Sequence, residues 1–359
     1  MRYKNIFYLS ESPIQSNDAG NKARNDIEKI LKKMNFSKVA HFHLAPNHMG
    51  SKIKHVKYIL HTSYLHELLK LMKTKSKILI LQYPFYFERI ENFTLKNSIK
   101  KNKTILFIHD INGLRSPIIV NGIEKMNLKS IEQDKDAFNN AKVLIVHNKE
   151  MQKILREWGI STPIVVLDVF DYLLKGDRTI NTKRSLSTTI AYAGNLDKSK
   201  FLELEEIQKL KLSFNLYGPN YTKEKFPWHN IHYKGSFSPD EIPYQLEGGF
   251  GLIWDGTSIK SCDGWKGRYM RINNPHKLSL YIAAGMPVIT WNQAAIADFI
   301  KRYNIGFCVD NLEEIMDVIA NLTESDYRAY INNIHKLQQD VMTGNFTKRA
   351  IEKAVKLLY

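Results

Sequence analysis

Asn274, Pro275 and Lys277 stand together ahead of an apolar run that closes at Gly285, Met286 and Pro287. Proline has no amide hydrogen to leave unsatisfied at a first helical position, so this spacing predicts a helix starting at Pro275 with Asn274 as its cap. The amides at such a start, with the positive end of the helix dipole, make a place for phosphate charge. A lysine in the first turn is unfavourable against that dipole and asks for a nearby anion, which makes Lys277 a candidate phosphate ligand. Pro275 and Gly285 serve equally well as plain helix start and stop signals.

Proton transfer is within reach of residues that directly follow apolar runs. His109 and Asp110 come straight after 104–108, with Asn112, Gly113, Leu114 and Arg115 behind them. An imidazole titrates near neutrality and suits a general base. Adjacent residues in an extended chain face opposite sides, so the two are not automatically a working pair, and either can serve to stabilise the loop. Asp18 follows the first apolar run and precedes Gly20 and Asn21 at the start of a helical pattern. Asp255 ends another run, as a ligand or as a turn former. The acidic cluster around Asp134 and Asp136 falls in a segment read as a solvated helix, and the histidines at 41, 43, 48, 55, 61 and 66 are too dispersed for a metal site. No metal is expected.

The elements that must position these groups come from periodicity. Short apolar runs at 4–9, 39–44, 78–81, 104–108, 143–146 and 164–167 predict buried strands, and helical patterns fill 20–35, 64–73, 119–139 and 149–158 between them. Residues 173–188, without apolar periodicity, read as a linker. The pattern then restarts with strands at 189–193, 212–217, 231–233, 250–254, 287–290 and 306–309. Helices are expected at 201–210, 241–246, 275–284, 295–303 and 312–320. Two α/β domains are therefore expected, 1–172 and 189–324, each with a parallel sheet covered on both faces, and 325–359 supplies terminal helices that pack on either domain. Ligands of such sheets sit at the carboxyl ends of strands, in a cleft if two sheets face one another.

Composition narrows the classes. At 359 residues, with 43% hydrophobic and 25% charged, the chain is globular and long enough for two cores. The net charge is +16, and residues 1–103 hold 20 basic against 7 acidic side chains. Such a field attracts anionic membrane surfaces, acidic polypeptides or nucleic acid, or simply keeps the surface soluble. No zinc-finger or RNP-like pattern points to nucleic acid, which is not an expected partner. Two cysteines exclude a disulfide scaffold, and the start reads as a first strand rather than a signal peptide, so a cytoplasmic location is expected, including the inner face of the membrane.

Five segments occur in the order of a known family: AGNKARND at 19–26, FIHDINGLR at 107–115, YAGNL from 192 with Lys198 beyond it, FNLYGPN at 214–220 and RINNPHKLSLYIAAGMPVI at 271–289. The chain resembles the bacterial glucosyltransferase 3 family, GT-B glycosyltransferases that extend glycans on serine-rich adhesins, and its galactofuranosyltransferase-like relatives. The resemblance implies two facing Rossmann-like domains, an interdomain cleft, a UDP-sugar substrate without cofactor, and self-association. It places Gly194, Asn195 and Lys198 at the donor pyrophosphate, Tyr217 and Gly218 at the uracil and ribose, and Tyr269, Asn274, Lys277 and Ser279 around ribose and phosphates. Asp255 is a further donor-side position.

The acceptor side falls to the first domain: His109, Asp110 or Asp18 as catalytic groups, with Gly20, Asn21, Arg115 and Tyr83 nearby. The aromatic run at 83–87 suits sugar stacking or core packing, with Glu88 and Arg89 as its polar edge, and 45–61 suits a rim for a polymeric acceptor. The resemblance implies transfer of glucose or a related hexose to a protein-attached glycan, an N-acetylglucosamine on the adhesin, with inversion. The alternatives are hexosyl or galactofuranosyl transfer to a lipid-linked glycan in surface polysaccharide assembly, and a non-catalytic nucleotide-sugar-binding subunit.

Overall fold

The computed structural model describes residues 5–12, 19–43, 62–85, 89–174 and 184–359. The chain divides into two compact units. One comprises Met1–Ser16, Arg24–Leu167 and Thr347–Tyr359; the other comprises Asn17–Ala23 and Asp168–Phe346.

In the first unit, strands β1 (Ile6–Ser12), β2 (Ser37–His43), β3 (Ile78–Tyr83) and β4 (Lys103–Ile108) precede a small hairpin, β5 (Ile118–Val120) with β6 (Ile123–Lys125). Strands β7 (Val143–Val146) and β8 (Ile164–Val166) complete the sheet, ordered β2-β1-β3-β4-β7-β8, with every pair parallel. All six residues of β3 and all four of β7 are buried, which is why they read as uninterrupted apolar runs. Leu79, Leu106 and Leu144 on three neighbouring strands are wholly buried, each worth roughly 1.5–3 kcal/mol of transfer.

The expected helix over 119–139 is corrected: it begins only at Leu128, capped by Asn127, whose side chain accepts from the Ser130 amide. Ahead of it Asn121 and Gly122 both take positive φ, 51° and 75°, and turn β5 back onto β6 as Asn-Gly pairs do in tight hairpins. A helix at Arg89–Lys101 was not anticipated.

The second sheet is built from β9 (Thr189–Ala193), β10 (Ser213–Tyr217), β11 (Ile231–Gly235), β12 (Phe250–Ile253), β13 (Val288–Trp291) and β14 (Gly306–Val309). Its order is β11-β10-β9-β12-β13-β14, again all parallel, the doubly wound arrangement. Two expected helices shrink to short 3-10 turns. Over 201–210 the buried Phe201, Leu202 and Ile207 are separated by Glu205 and Glu206, so no continuous apolar stripe exists, and Lys200–Glu203 and Glu205–Lys209 form separate turns. At 241–246 only Ile242–Tyr244 coils, with Pro243 inside it.

The expected linker is anchored at both described ends. The Leu173 carbonyl accepts from Lys22 Nζ at 2.5 Å, and the Arg184 guanidinium donates to the carbonyls of Leu246, Gly248, Ala284 and Gly285. The helix Glu324–Thr343, opened by a Thr323/Asp326 capping box, falls in the second unit, whereas 347–359 groups with the first.

Candidate functional site

Each sheet reverses its winding at one point, and there its strands part. In the second sheet β9 and β12 pair only at Ile190 with Phe250 and Ala191 with Gly251. Beyond that the crevice is entered by two side chains of the helix His276–Ala283, Lys277 and Tyr281, four residues apart and hence on one face. The Tyr281 hydroxyl accepts from the Ala193 amide at 3.1 Å and lies 3.3 and 3.1 Å from the carbonyls of Ala191 and Leu252. A Cβ on Gly251 would stand 2.5 Å from the Tyr281 ring, so only glycine leaves room for it.

Lys277 Nζ donates to Asp255 Oδ1 at 2.9 Å and to the Tyr192 hydroxyl at 3.1 Å, and lies 4.4 Å from the centroid of the Tyr192 ring. Burial works against the ammonium, but the carboxylate of Asp255 and the tyrosine hydroxyls outweigh it and hold Lys277 well above the usual lysine range. Tyr192 is in turn fixed by Ser199 Oγ at 2.8 Å. The anion that the sequence asked for beside Lys277 is thus partly supplied by the protein. An ammonium has three donors, and Asp255 and Tyr192 take two of them.

Around this centre the strand-end loops close up. Gly194 donates its amide to the Tyr217 carbonyl and Leu196 its amide to the Pro219 carbonyl. Gly218 takes φ 138°, and a Cβ there would fall 1.9 Å from the Gly194 oxygen. Asn195 caps the turn Leu196–Lys198, accepting from the Asp197 amide and from Asn220 Nδ2.

A further cationic position was missed from sequence. Lys266, on the helix Gly264–Met270, donates to the Lys198 carbonyl at 3.1 Å. Burial lowers its pKa, and the charges of Lys198, Lys200 and Lys277 lower it further against the pull of Asp255. Lys198, Lys266 and Lys277 therefore stand together beyond the carboxyl ends of β9 and β12, while Lys200 is ion-paired with Glu203 at 2.8 Å. The signal lay in the glycines: Gly264 takes φ 83°, and a Cβ on Gly267 would overlap the Cys262 carbonyl at 1.1 Å.

Other donor-side expectations are corrected. Asn274 does not cap the helix; Pro275 is the N-cap residue, without a side-chain cap bond, and Asn274 Nδ2 donates to the Asp168 carbonyl. Tyr217 is 1% exposed and its hydroxyl accepts from the Glu247 amide, so its ring belongs to the core. Ser279, 1% exposed, lies two residues from Lys277, roughly 200° around the helix, away from the Lys277 and Tyr281 face. Tyr269 is buried on the helix Gly264–Met270.

In the first unit the parting lies between β1 and β3, which pair only from Ile6 to Tyr8. Arg24, from the helix Ala19–Lys33, enters there: Nη1 donates to Glu11 Oε2 and Nη2 to the Pro84 carbonyl, each at 2.6 Å. Burial pushes Glu11 up to about 7 in spite of Arg24. This buried pair was not recognised from sequence. Gln82 donates Nε2 to the Arg24 carbonyl at 3.3 Å and holds its Oε1 2.7 Å from His109 Nε2. Asp110 is ion-paired with Arg115 across the turn Asn112–Arg115.

Tyr83 is not a sugar platform: it is 6% exposed, packs edge-on against Phe85 and Phe138, and donates its hydroxyl to Asp134. Asp134 is correspondingly buried rather than solvated and also accepts the Gly113 amide at 2.8 Å. Asp136 keeps to the surface, paired with Lys96. Gly20 and Asn21 lie in the first turn of Ala19–Lys33. Asp18, Glu88 and the segment 45–61 lie outside the described residues. Among the described residues no group of three or more His, Cys, Asp or Glu is placed to hold a metal ion, and no helix is long and apolar enough to cross a membrane.

The family model for the N-terminal domain of glucosyltransferase 3-like proteins matches residues 8–169, and that for the C-terminal domain matches 190–354. The beta-1,6-galactofuranosyltransferase WbbI of Escherichia coli (strain K12) is 29% identical over 356 residues, 98% of either chain. Glucosyltransferase 3 of Streptococcus gordonii is 27% identical over 269 residues, 73% of this chain and 74% of its own. In fold, the chain is similar to the sucrose-phosphate synthase of Thermosynechococcus elongatus, with a TM-score of 0.61 at 10% identity over 98% of this chain and 100% of that one. Anabaena Alr3699/HepE, solved in complex with UDP, gives 0.55 at 10% identity over the same shares.

Proposed function

The chain belongs to the glucosyltransferase 3-like family of GT-B glycosyltransferases, and on that premise we propose that it moves glucose or a related hexose from a UDP-sugar to a glycan already carried by a protein, with inversion. The observation that carries this reading is Lys277, held charged by Asp255 and Tyr192 at the winding reversal of the second sheet, with Lys198 and Lys266 near it. Leaving-group departure places negative charge on the diphosphate, and preorganised cations that need not reorient lower the cost of that charge. Gly194 and Gly218 let backbone approach the phosphates, and Asn195 lines the same loop.

In the proposed reaction the acceptor hydroxyl oxygen attacks the anomeric carbon, the bond from that carbon to the phosphate oxygen breaks, and UDP departs. His109 takes the hydroxyl proton. Asp110 is assigned to the loop rather than to the proton, because Arg115 engages its carboxylate. The net charge of +16 suits an acidic acceptor or the anionic inner face of a membrane, and family membership favours self-association.

A second reading, galactofuranosyl transfer to a lipid-linked glycan, is favoured by the match to WbbI along 98% of both chains. Incubating the purified protein with UDP-glucose or UDP-galactofuranose, and with a glycopeptide bearing N-acetylglucosamine or a lipid-linked glycan, separates the two by product mass. Glucose on the glycopeptide supports the first, and galactofuranose on the lipid-linked glycan supports the second. Binding of UDP without turnover of any donor would leave a nucleotide-sugar-binding subunit.

A further inference from the structure

Resting on the reading of His109 as the base, we infer that Gln82 is a positioning residue that fixes the tautomer of His109 and so decides which ring nitrogen takes the acceptor proton. Gln82 is 2% exposed, the fifth residue of a strand buried along its whole length. Its amide has only one sensible orientation. Nε2 faces the carbonyl of Arg24 at 3.3 Å, and Oε1 faces His109 Nε2 at 2.7 Å. Turning the amide over would set its oxygen against the Arg24 oxygen, two acceptors in a buried site with no hydrogen between them.

The Arg24 carbonyl is not free to move out of the way. Its residue is 2% exposed and tied through its guanidinium to Glu11 and to the Pro84 carbonyl, while the Glu11 amide is held by Glu28 at 2.7 Å. The carboxamide oxygen of Gln82 therefore presents an acceptor to His109, and the neutral ring must carry its hydrogen on Nε2. The His109 amide, donated to the Tyr83 carbonyl at 2.7 Å, fixes the ring from its backbone side. Nδ1 is then the nitrogen with the lone pair. As the acceptor oxygen bonds to the anomeric carbon, its proton passes to Nδ1, and the resulting imidazolium keeps its Nε2 hydrogen on Gln82.

The test is the nitrogen spectrum of histidine-labelled protein, with the His109 signals assigned by their loss in His109→Gln. In the native protein at a pH where the ring is neutral, Nε2 should appear protonated and Nδ1 unprotonated. In Gln82→Leu the two tautomers should mix, and kcat should fall about tenfold or more with the KM for the donor little changed. Gln82→Glu in its neutral acid form donates to the Arg24 carbonyl and keeps an acceptor toward His109, so at a pH below its titration it should restore the Nε2 hydrogen and a measurable part of kcat. A native spectrum with the hydrogen on Nδ1, or a tautomer unmoved in Gln82→Leu, overturns the inference without any need for an active variant. The base reading itself is decided separately, by the turnover of His109→Gln.

Discussion

Lys277 and Asp255 meet at 2.9 Å where β9 and β12 part, and each is the reason the other can be there. A cation at a helix start is disfavoured by the dipole and by burial, and the carboxylate at the end of the neighbouring strand offsets both. The two side chains are unequally covered, 17% exposed for Lys277 and 32% for Asp255. Loss of the partner is therefore felt more by the lysine than by the aspartate.

Lys277→Ala should raise the dissociation constant for UDP by roughly 10–100-fold, the scale of one charge-assisted hydrogen bond to phosphate. Asp255→Asn should leave UDP affinity closer to native and lower the melting temperature, since it strands a buried ammonium. Titration calorimetry with UDP, alongside thermal melts, reads both. Equal UDP affinity in Lys277→Ala and native protein would remove Lys277 from the site.

Lys266→Met should weaken UDP several-fold, and the residual binding should respond less to salt than that of native protein, because one of the cations near Lys277 is gone. Calorimetry at low and high salt checks this. An unchanged salt response would mean that Lys266 only props the Lys198 carbonyl.

Gly218→Ala tests the close approach of the two strand-end loops. Its Cβ would fall 1.9 Å from the Gly194 oxygen in a backbone of φ 138° that alanine avoids. The expected cost is about 2 kcal/mol or more in stability, with weakened UDP binding because Gly194 must shift. Gly122→Ala, also at positive φ but with nothing near its Cβ, is the control and should cost about 1 kcal/mol without any effect on UDP.

What could be read from the sequence followed from how locally each feature is determined. Strands such as Ile78–Tyr83 announce themselves because burial on both faces leaves only apolar choices. Lys277 was legible because a lysine in a first turn conflicts with a rule that operates within four residues. Its partners Tyr192 and Asp255 come from other strands, and nothing in the spacing of 274–287 names them. The hairpin at 118–125 was overlooked because the helical pattern of 128–140 was extended back through Asn121 and Gly122, the pair that should have stopped it. Asp134 and Glu11 were misread or missed for a shared reason: a charged residue in a polar stretch looks solvated until the tyrosine or arginine that satisfies it is brought in from a distant element.

Asp134 also gives a pH dependence. Burial raises it from 3.8 to about 6, against the bonds from Tyr83, Gly113 and Asn112. Because the folded-state value is the higher one, the folded protein binds the proton more tightly, and stability declines as pH rises from about 4 to about 6, then levels off. Asp134→Asn should flatten that part of the curve. Melting temperatures of the two proteins across this range check it, and parallel curves would mean that Asp134 titrates as an ordinary carboxylate.

His109→Gln and Asp110→Asn separate the base from its loop. His109→Gln should lower kcat about 100-fold, the usual scale of general base catalysis, while UDP affinity stays native. Asp110→Asn breaks an ion pair whose Arg115 side chain is 47% exposed, and such pairs are worth about 1 kcal/mol or less, so kcat should fall less than about tenfold. Steady-state rates with saturating donor, together with UDP calorimetry, distinguish the two. A larger loss of kcat in Asp110→Asn than in His109→Gln would transfer the proton to the aspartate and make the Arg115 pair a contact that substrate binding must open.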